Sequence, residues 1–440
     1  MLHTTAVTII TRLNKAGFEA FAVGGCVRDA FRGKIADDID IATSARPEET
    51  MAVFADCRVI PTGVAHGTVT VLLDGRSFEI TTYRTDGTYS DARHPDSVQY
   101  VRTLEEDLAR RDFTVNAMAF HPTLGLIDRF GGMEDLHQKR LRCVGDPYKR
   151  FSEDALRIAR LVRFMSVLGF TVEEETAAAA HALCNRLQAV AAERKQAEFK
   201  KMLTGDGFFQ TATAFSDVLC ELVPPLTPLV GFEQHSPHHD FDVYTHTVRA
   251  VHAAEKELYV RLAVLFHDLG KPDTFFTDEQ GVGHFYGHPA VSETLAKDAL
   301  AALRFDNATI QTVLPLVRYH DTQIAPTKRS VRRWLSRLGK ENFDRLLAVK
   351  RADALGCKEN SQAPDFSELQ QVANDIVREA ECFSLSSLAI GGNDLLALGY
   401  EASPAIGKIL RELLDRVIDE QLPNDAAVLK DYVQRRWPHV

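Results

Sequence analysis

No run of apolar residues in this chain approaches the length of a membrane span. The segment Met1-Leu2-His3-Thr4-Thr5 has no basic cluster with an apolar stretch behind it, so no secretory signal is expected. No CxxC pair occurs. The seven cysteines stand apart at 26, 57, 143, 184, 220, 357 and 382, which suits reduced thiols in a cytoplasmic protein rather than a disulfide framework or a zinc finger. Fixed-period repeats and long low-complexity tracts are missing. So is any excess of positive charge: the net charge is −10, which argues against a protein coated with nucleic acid. Local basic stripes can still steer a polyanion. Two are visible, Arg157, Arg160 and Arg163 in one segment and Arg194, Lys195, Lys200 and Lys201 in the next.

What is present is an ordinary globular composition, 45% hydrophobic and 25% charged, spread over 440 residues. That is too long for one core and enough for two to four domains. The first 140 residues mix patterns. Residues 7–14 read as an amphipathic helix, and residues 19–23, 39–43, 68–73 and 78–83 as strands. Asp74-Gly75 joins the last two as a hairpin turn. Helices are expected to start near Val27 and Pro47, which gives a small, partly antiparallel α/β sheet domain. Residues 86–95 are polar and turn-forming and read as a loop. After residue 150 strand patterns largely vanish and helical periodicity runs almost to the end. It is broken at Pro224-Pro225-Leu226-Thr227-Pro228, over 356–364 and at Gly391-Gly392.

Chemistry concentrates first in Val23-Gly24-Gly25-Cys26-Val27-Arg28-Asp29 and in Asp38-Ile39-Asp40-Ile41. Side chains alternate along a strand, so Asp38 and Asp40 project from one face. Two adjacent carboxylates repel unless a cation sits between them. A hard divalent ion, most naturally Mg²⁺, fits carboxylates plus substrate phosphates. The glycine pair at a helix start lets a phosphate approach backbone N–H groups. Together they read as a metal-dependent phosphoryl or nucleotidyl transfer site. Glu79 becomes a third carboxylate if its strand neighbours the aspartate strand, and is otherwise a surface glutamate.

Further along, Arg110-Arg111-Asp112-Phe113-Thr114-Val115-Asn116-Ala117 offers two guanidinium forks for triphosphate oxygens. Asp112 can hold one of them, and Asn116 can bond a sugar hydroxyl. A helix over 153–164 puts Asp154 and Arg157 three apart on one face. Such a pair can bond the Watson–Crick edge of cytosine or adenine and reject guanine and uracil. A surface ion pair worth a few tenths of a kcal/mol would have the same spacing.

These motifs, in this order, closely resemble those of class II tRNA nucleotidyltransferases, the CCA-adding enzymes and their poly(A) polymerase relatives. The resemblance runs over about residues 10–205 and includes Ala192-Glu193-Arg194 and a hinge-like Asp128-x-x-Gly131-Gly132-x-x-Asp135-Leu136. It implies that Gly24, Gly25 and Arg28 lie at the triphosphate, that Asp38 and Asp40 bind Mg²⁺ with Glu79 beside them, and that Arg110, Arg111, Asp112 and Asn116 also hold the nucleotide. It implies that Asp154 and Arg157 read the base, that Arg160 and Arg163 line the same site, and that Glu193-Arg194 brace the helix turn. The partners implied are tRNA, CTP and ATP, with no membrane.

A second set lies in the helical part: His246, His267-Asp268, His288, His320-Asp321 and Asp353. Imidazoles and carboxylates spread over several helices suit a divalent transition metal such as Mn²⁺, Ni²⁺, Co²⁺ or Fe²⁺. Their order resembles the HD phosphohydrolase superfamily over about residues 230–360. His246, His267, Asp268 and Asp353 form the central set, with His288 and His320 as further ligands and Asp321 as the alternative to His320. Residues 389–395 and 406–410 resemble the C-terminal tail of HD-bearing CCA enzymes.

The expected architecture is therefore α+β. A mixed-sheet nucleotidyltransferase head (1–140) is followed by an all-α neck (141–222), an HD body (223–360) and a helical tail (361–440). The expected activity is template-independent addition of C, C and A to the tRNA 3′ end, with an HD phosphohydrolase activity beside it. An A-adding or CC-adding partial enzyme, a poly(A) polymerase, and an RNA-binding HD hydrolase with an inactive head remain as alternatives. The polar loop over 86–96, which CC-only relatives tend to lack, speaks against the CC-only reading. The absence of a basic tail speaks against the polymerase, and intact Asp38 and Asp40 against an inactive head.

Overall fold

A computed structural model describes residues 3–35, 38–86, 98–237, 239–379 and 381–438. The expected loop over 86–96 lies, apart from Asp86, outside the described residues. The chain divides into two compact units, Met1–Thr227 and Pro228–Val440. The division falls inside the proline cluster at 224–228, where the helical pattern breaks.

The first unit is built on a seven-stranded mixed sheet. Its strands are β1 (Ala20–Val23), β2 (Ile39–Thr43), β3 (Arg58–Gly63), β4 (Thr68–Leu73), β5 (Arg76–Thr82), β6 (Met118–His121) and β7 (Gly125–Asp128). Their order is β3-β4-β5-β2-β1-β6-β7. All neighbours are antiparallel except β2 and β5, which run parallel with Asp40 opposite Glu79. The aspartate and glutamate strands are thus direct neighbours. The helix Thr4–Lys15 buries Ala6, Ile9, Ile10 and Leu13, an apolar stripe at helical spacing. β3, β6 and β7 were not anticipated. β6 and β7 are four residues each, and Pro61 in β3 and Gly125 in β7 interrupt the strand pattern.

The segment leading out of the sheet is clasped by two aspartates. Asp128 accepts hydrogen bonds from the backbone N–H groups of Phe130, Gly132 and Met133. The fully buried Asp135 accepts from Thr114 Oγ1 at 2.6 Å and pairs with Arg140 and Arg142. Helices then dominate to residue 227. The helix expected over 153–164 is two helices, Pro147–Glu153 and Leu156–Leu168. Asp154 lies between them in an extended conformation, its Oδ1 accepting from the Leu156 N–H at 3.0 Å.

Among its described residues the second unit is helical apart from loops and one short hairpin, Phe276–Thr277 with Gly283–His284. The helices that matter below are Val243–Ala253, Leu258–Phe266, His288–Ala302, Asn307–Tyr319 and Lys328–Gly356. In the last, Gly339 takes φ 73°, so the run is two helices joined at a kink. A separate apolar cluster, centred on Leu395, Ile409, Leu413, Leu429 and Val433, forms the core near the C-terminal end. No helix among the described residues is long and apolar enough to cross a membrane.

Asp135→Ala should lower stability by about 2–3 kcal/mol, because it leaves a buried hydroxyl and two guanidiniums without their shared acceptor. Urea denaturation checks this; an unchanged midpoint would remove the clasp from the list of stabilising contacts.

Candidate active sites

A cavity of about 560 Å³ opens in the first unit between the sheet and the Leu156–Leu168 helix. It is lined by Gly24, Gly25, Arg28, Asp40, Arg110, Arg111, Asp112, Asn116, Asp154, Arg157, Arg160 and Arg163, together with Arg84, Leu156, Phe164 and Arg194. Eight of these residues are arginines, in a chain of net charge −10. Such a concentration of guanidiniums suits a polyphosphate.

Buried carboxylates hold the arginines in place. Asp107, only 1% exposed, accepts from Arg110 at 2.8 Å and Arg111 at 3.2 Å. Desolvation works against its charge, but the two guanidiniums outweigh this and keep its carboxyl below the usual range. Asp112 was expected to hold one of this arginine pair. It instead accepts from Arg160 Nε at 2.7 Å, Asn116 Nδ2 at 3.0 Å and the Phe113 N–H at 2.8 Å. Desolvation again opposes the charge, and these partners hold it well below the ordinary carboxylate value. Asn116 Oδ1 accepts from Arg28 Nη1 at 2.6 Å, and Arg28 also forks onto Asp29. Glu198 takes Arg163 at 2.7 Å, and the Arg163 guanidinium lies 3.5 Å from the centre of the Phe164 ring. Arg111 Nε is buried without a hydrogen-bond partner, which leaves it a donor for an anion.

Gly24 stands where the sheet meets the arginines. Its φ of 77° favours glycine, and a Cβ there would lie 2.8 Å from Arg111 Nη1 and 3.8 Å from Asp40 Oδ2. Asp38, immediately before β2, and Asp40 and Glu79 on neighbouring strands form one acidic group. Desolvation raises the Asp40 carboxyl, Arg111 opposes it, and Asp38 adds to it. Desolvation also raises Glu79, with Asp40 and Asp38 adding. Mutual repulsion of this kind is what a divalent cation relieves, so these residues fit Mg²⁺.

Asp154 and Arg157 both line the cavity, but they are not an ion pair. Asp154 Oδ2 accepts from Arg194 at 2.9 Å. Arg157 donates to the carbonyls of Arg150 and Arg110 and pairs with Glu153. Each is braced separately.

The second unit brings together all six of its expected ligands, from five helices. His246 lies within Val243–Ala253, and Asp353 within Lys328–Gly356. His288 opens the helix His288–Ala302. His267 and His320 close the helices Leu258–Phe266 and Asn307–Tyr319. Asp268 follows His267 beyond the helix end. His320 is buried in the cluster and Asp321 is exposed. Around Asp268 Oδ2 lie His267 Nε2 at 3.2 Å and His246 Nε2 at 3.4 Å. Asp353 Oδ1 is 3.1 Å from His246 and 3.4 Å from His267. Around Asp268 Oδ1 lie His288 at 3.4 Å and His320 at 3.9 Å.

The tautomers are fixed by the backbone. His267, His288 and His320 each donate Nδ1–H to the carbonyl three residues back, at 2.6, 2.8 and 2.8 Å. The neutral imidazoles therefore present lone pairs at Nε2. Yet His288 Nε2 and His320 Nε2 are 3.1 Å apart, and His246 Nε2 and His267 Nε2 are 3.2 Å apart. The facing lone pairs of His288 and His320 need a cation between them, whereas His246, whose tautomer no backbone bond fixes, can donate Nε2–H to His267. Ligands about 2.1 Å from one ion are separated by about 3.0–3.4 Å at octahedral or tetrahedral angles, so the donor set fits a metal. The two oxygens of Asp268 face different groups, which gives room for two ions. His246 differs from the others: its Nδ1 is buried without a hydrogen-bond partner, and the residue groups with His239 and Cys357 as well.

Arg84, Asp107, Phe164 and Glu198 were not anticipated. Asp107 sits in Leu104-Glu105-Glu106-Asp107 and falls four residues before Arg111, the one signal that marks it out from its acidic neighbours.

Because Asp112 is depressed in the folded state, its stabilising contribution is complete above about pH 4, the ordinary carboxylate value, and is lost as pH falls toward its folded value. Asp112→Asn should give a shallower loss of stability between pH 5 and 2 than wild type, as read by urea unfolding at each pH. Parallel acid limbs would show that this carboxylate carries no such linkage.

Comparison with known proteins agrees with this geometry. The family model "Poly A polymerase head domain" matches residues 20–142, and "tRNA nucleotidyltransferase domain 2" matches residues 275–433. A CCA-adding enzyme of Lactobacillus delbrueckii subsp. bulgaricus is 36% identical over 436 residues, which is 98% of this chain and 98% of that protein. One of Enterococcus faecalis is 33% identical over 98% of this chain and 95% of its own length. The crystal structure of the Bacillus stearothermophilus CCA-adding enzyme in complex with CTP matches with a TM-score of 0.74 at 27% identity, covering 98% of this chain and 97% of that one. Identity of that order along nearly the whole of both chains makes this protein a member of the CCA-adding enzyme family of class II nucleotidyltransferases.

Proposed function

We propose that the protein adds C, C and A to the 3′ end of tRNA from CTP and ATP, in the cytoplasm, with the arginine-lined cavity as the nucleotide site. The observation that carries this reading is the union, in one cavity, of Asp40 from the acidic group on the sheet and eight arginines from the segments around it. Arg28, Arg110 and Arg111 hold the triphosphate, the last two aligned by Asp107. Asp112 and Asn116 fix Arg160 and Arg28 behind it. Asp38 and Asp40, with Glu79 alongside, would hold Mg²⁺, which when bound supplies charge neutralisation at the reacting phosphate. The tRNA 3′-hydroxyl attacks the α-phosphate and pyrophosphate leaves. Asp154 accepts from the exocyclic amino group that cytosine and adenine share, and Arg157 donates to the ring edge. No template is then required. The division into head (1–140), neck (141–222), HD body (223–360) and tail (361–440) belongs to this proposal.

We further propose that the imidazole–carboxylate cluster is an HD-type phosphohydrolase centre. His246, His267, Asp268 and Asp353, with His288 and His320, would hold Mn²⁺, Ni²⁺, Co²⁺ or Fe²⁺, which supplies Lewis acidity when bound. Lys271, 2.7 Å from Asp268 Oδ2, adds a cation beside the phosphate. The resemblance to the HD superfamily, in a protein that handles RNA 3′ ends, suggests the substrate: a phosphoester at an RNA 3′ end, such as a 2′,3′-cyclic phosphate.

Asp38→Ala and Asp40→Ala should each abolish nucleotide addition, scored on gels with tRNA lacking CCA and with CTP and ATP given separately and together. Circular dichroism should stay native. Near-normal activity in both variants would sink the metal assignment, and incorporation of only C or only A by wild type would point to the partial enzyme.

Asp154→Ala should admit UTP or GTP in the same assay, since the acceptor that excludes them is removed. Unchanged discrimination in both Asp154→Ala and Arg157→Ala would refute reading by this pair.

His267→Ala should lose ring opening of 2′,3′-cyclic nucleotides to the monophosphate, and phosphate release from linear nucleotides, across a panel of divalent ions while retaining CCA addition. No bound metal and no phosphoester cleavage by wild type would leave the cluster without a hydrolytic role.

A further inference from the structure

The hairpin beside the imidazole–carboxylate cluster carries three aromatic rings on its outer face. Its register pairs Phe276 with His284, which places both on one side, and Tyr286 lies two residues beyond His284. The rings touch in series. Phe276 and His284 have centroids 5.3 Å apart at 29°, His284 and Tyr286 5.5 Å apart at 18°, and Phe276 and Tyr286 5.5 Å apart. Tyr286 is 75% exposed and Phe276 45% exposed. His284 Nε2 lies 2.8 Å from Asp278 Oδ2, which fixes the middle ring.

The alternate residues face inward. Phe275 packs on Phe285 at 5.5 Å and edge-on to Phe232 at 5.4 Å. The Gly283 N–H donates to the His235 carbonyl at 2.8 Å, and a side chain at 283 would collide with the Gln234 carbonyl. The hairpin therefore lies flush against the body, and its outer rings cannot turn inward. An exposed aromatic surface, with His284 stacked on both neighbours and Phe276 and Tyr286 tilted at 46° to each other, suits a flat partner better than a peptide, which needs a groove or a strand edge.

Its position supplies the rest. Tyr286 is two residues before the ligand His288, so their backbones are at most about 7 Å apart. Phe285 lies under Lys271 Nζ at 5.2 Å, and that ammonium is 2.7 Å from Asp268 Oδ2. We propose that Phe276, His284 and Tyr286 form a stacking platform for the base of a ribonucleoside phosphate whose phosphoester lies at the cluster. This rests on the phosphohydrolase reading of that cluster. Stacking on one aromatic ring contributes about 1–3 kcal/mol per base, enough to select a nucleotide over a base-free phosphate.

The test uses the full chain with Mn²⁺ and a 2-aminopurine riboside 3′-phosphate, whose fluorescence falls on stacking and which lacks the triphosphate of the head's substrates. Wild type and Tyr286→Phe should quench it. Tyr286→Ala should bind it about tenfold more weakly or worse. Ribose 5-phosphate should compete poorly with wild type. Equal quenching by Tyr286→Ala, or equal competition by the base-free phosphate, overturns the platform. Phosphate release from the same nucleotide and from a trinucleotide ending in 2-aminopurine riboside 3′-phosphate, measured in parallel with His267→Ala, separates the two proposals and tells a free nucleotide from an RNA 3′ end as the source of the base. Quenching that needs Tyr286 without any hydrolysis supports the platform and refutes the phosphohydrolase. Hydrolysis that needs His267 but is unaffected in KM by Tyr286→Ala does the reverse. CCA addition should be unchanged in Tyr286→Ala.

Discussion

Eight arginines can line one cavity only because buried carboxylates on the protein side neutralise part of their charge. Asp107 and Asp112 are the principal ones, each nearly inaccessible and each shared between two cavity residues. The arrangement orients the guanidiniums without saturating them. Arg111 spends one nitrogen pair on Asp107 and the Asn116 carbonyl and leaves Nε unpartnered. Local geometry elsewhere follows from this demand. The positive φ at Gly24 brings β1 within reach of Arg111, and the break at Asp154 frees that carboxylate from the helix to meet Arg194.

The second unit resolves the opposite problem. Its cluster crowds lone pairs and carboxylates, and burial denies them water. Burial pulls the His267 imidazole down, but Asp268 and Asp353 outweigh it and hold its value up at about 9. His320, dominated by burial and by the neighbouring His267, is pushed down to about 3. Adjacent imidazoles driven in opposite directions mark a site in which protons stand where a more highly charged ion would satisfy every ligand alike.

Much of both sites was legible in the sequence because each motif is local. Gly24-Gly25, Asp38-x-Asp40 and His267-Asp268 are short, and the residue types leave few chemistries open. The strand pairing that brings Glu79 beside Asp40 also matches the condition set by the sequence reading. What escaped was determined by partners far along the chain. Asp107 looks like any acidic residue in a helix, and only the fold brings Glu198 to Arg163 and Arg84 to the cavity wall. The apolar period runs unbroken through residues 151–164, so it hides the turn at Asp154. A helical pattern reports which face is buried; it does not report where a polar residue interrupts the backbone to reach a partner. The aromatic hairpin is too short to carry a strand period.

Three of the four cluster imidazoles between 246 and 320 hang from carbonyls one turn behind them, and two of these stand at the C-terminal ends of their helices. The carbonyls at a helix end have no partner within the helix, so the helix stop and the ligand are one device. This sets where the chain can change length. A residue added in a connecting loop alters only the loop. A residue added in the last turn before His267 or His320 would swing the ring by about 100° around the helix and also separate it from its carbonyl. Insertions and deletions among relatives should therefore collect in the connections and spare those final turns, even where the amino acids filling them differ.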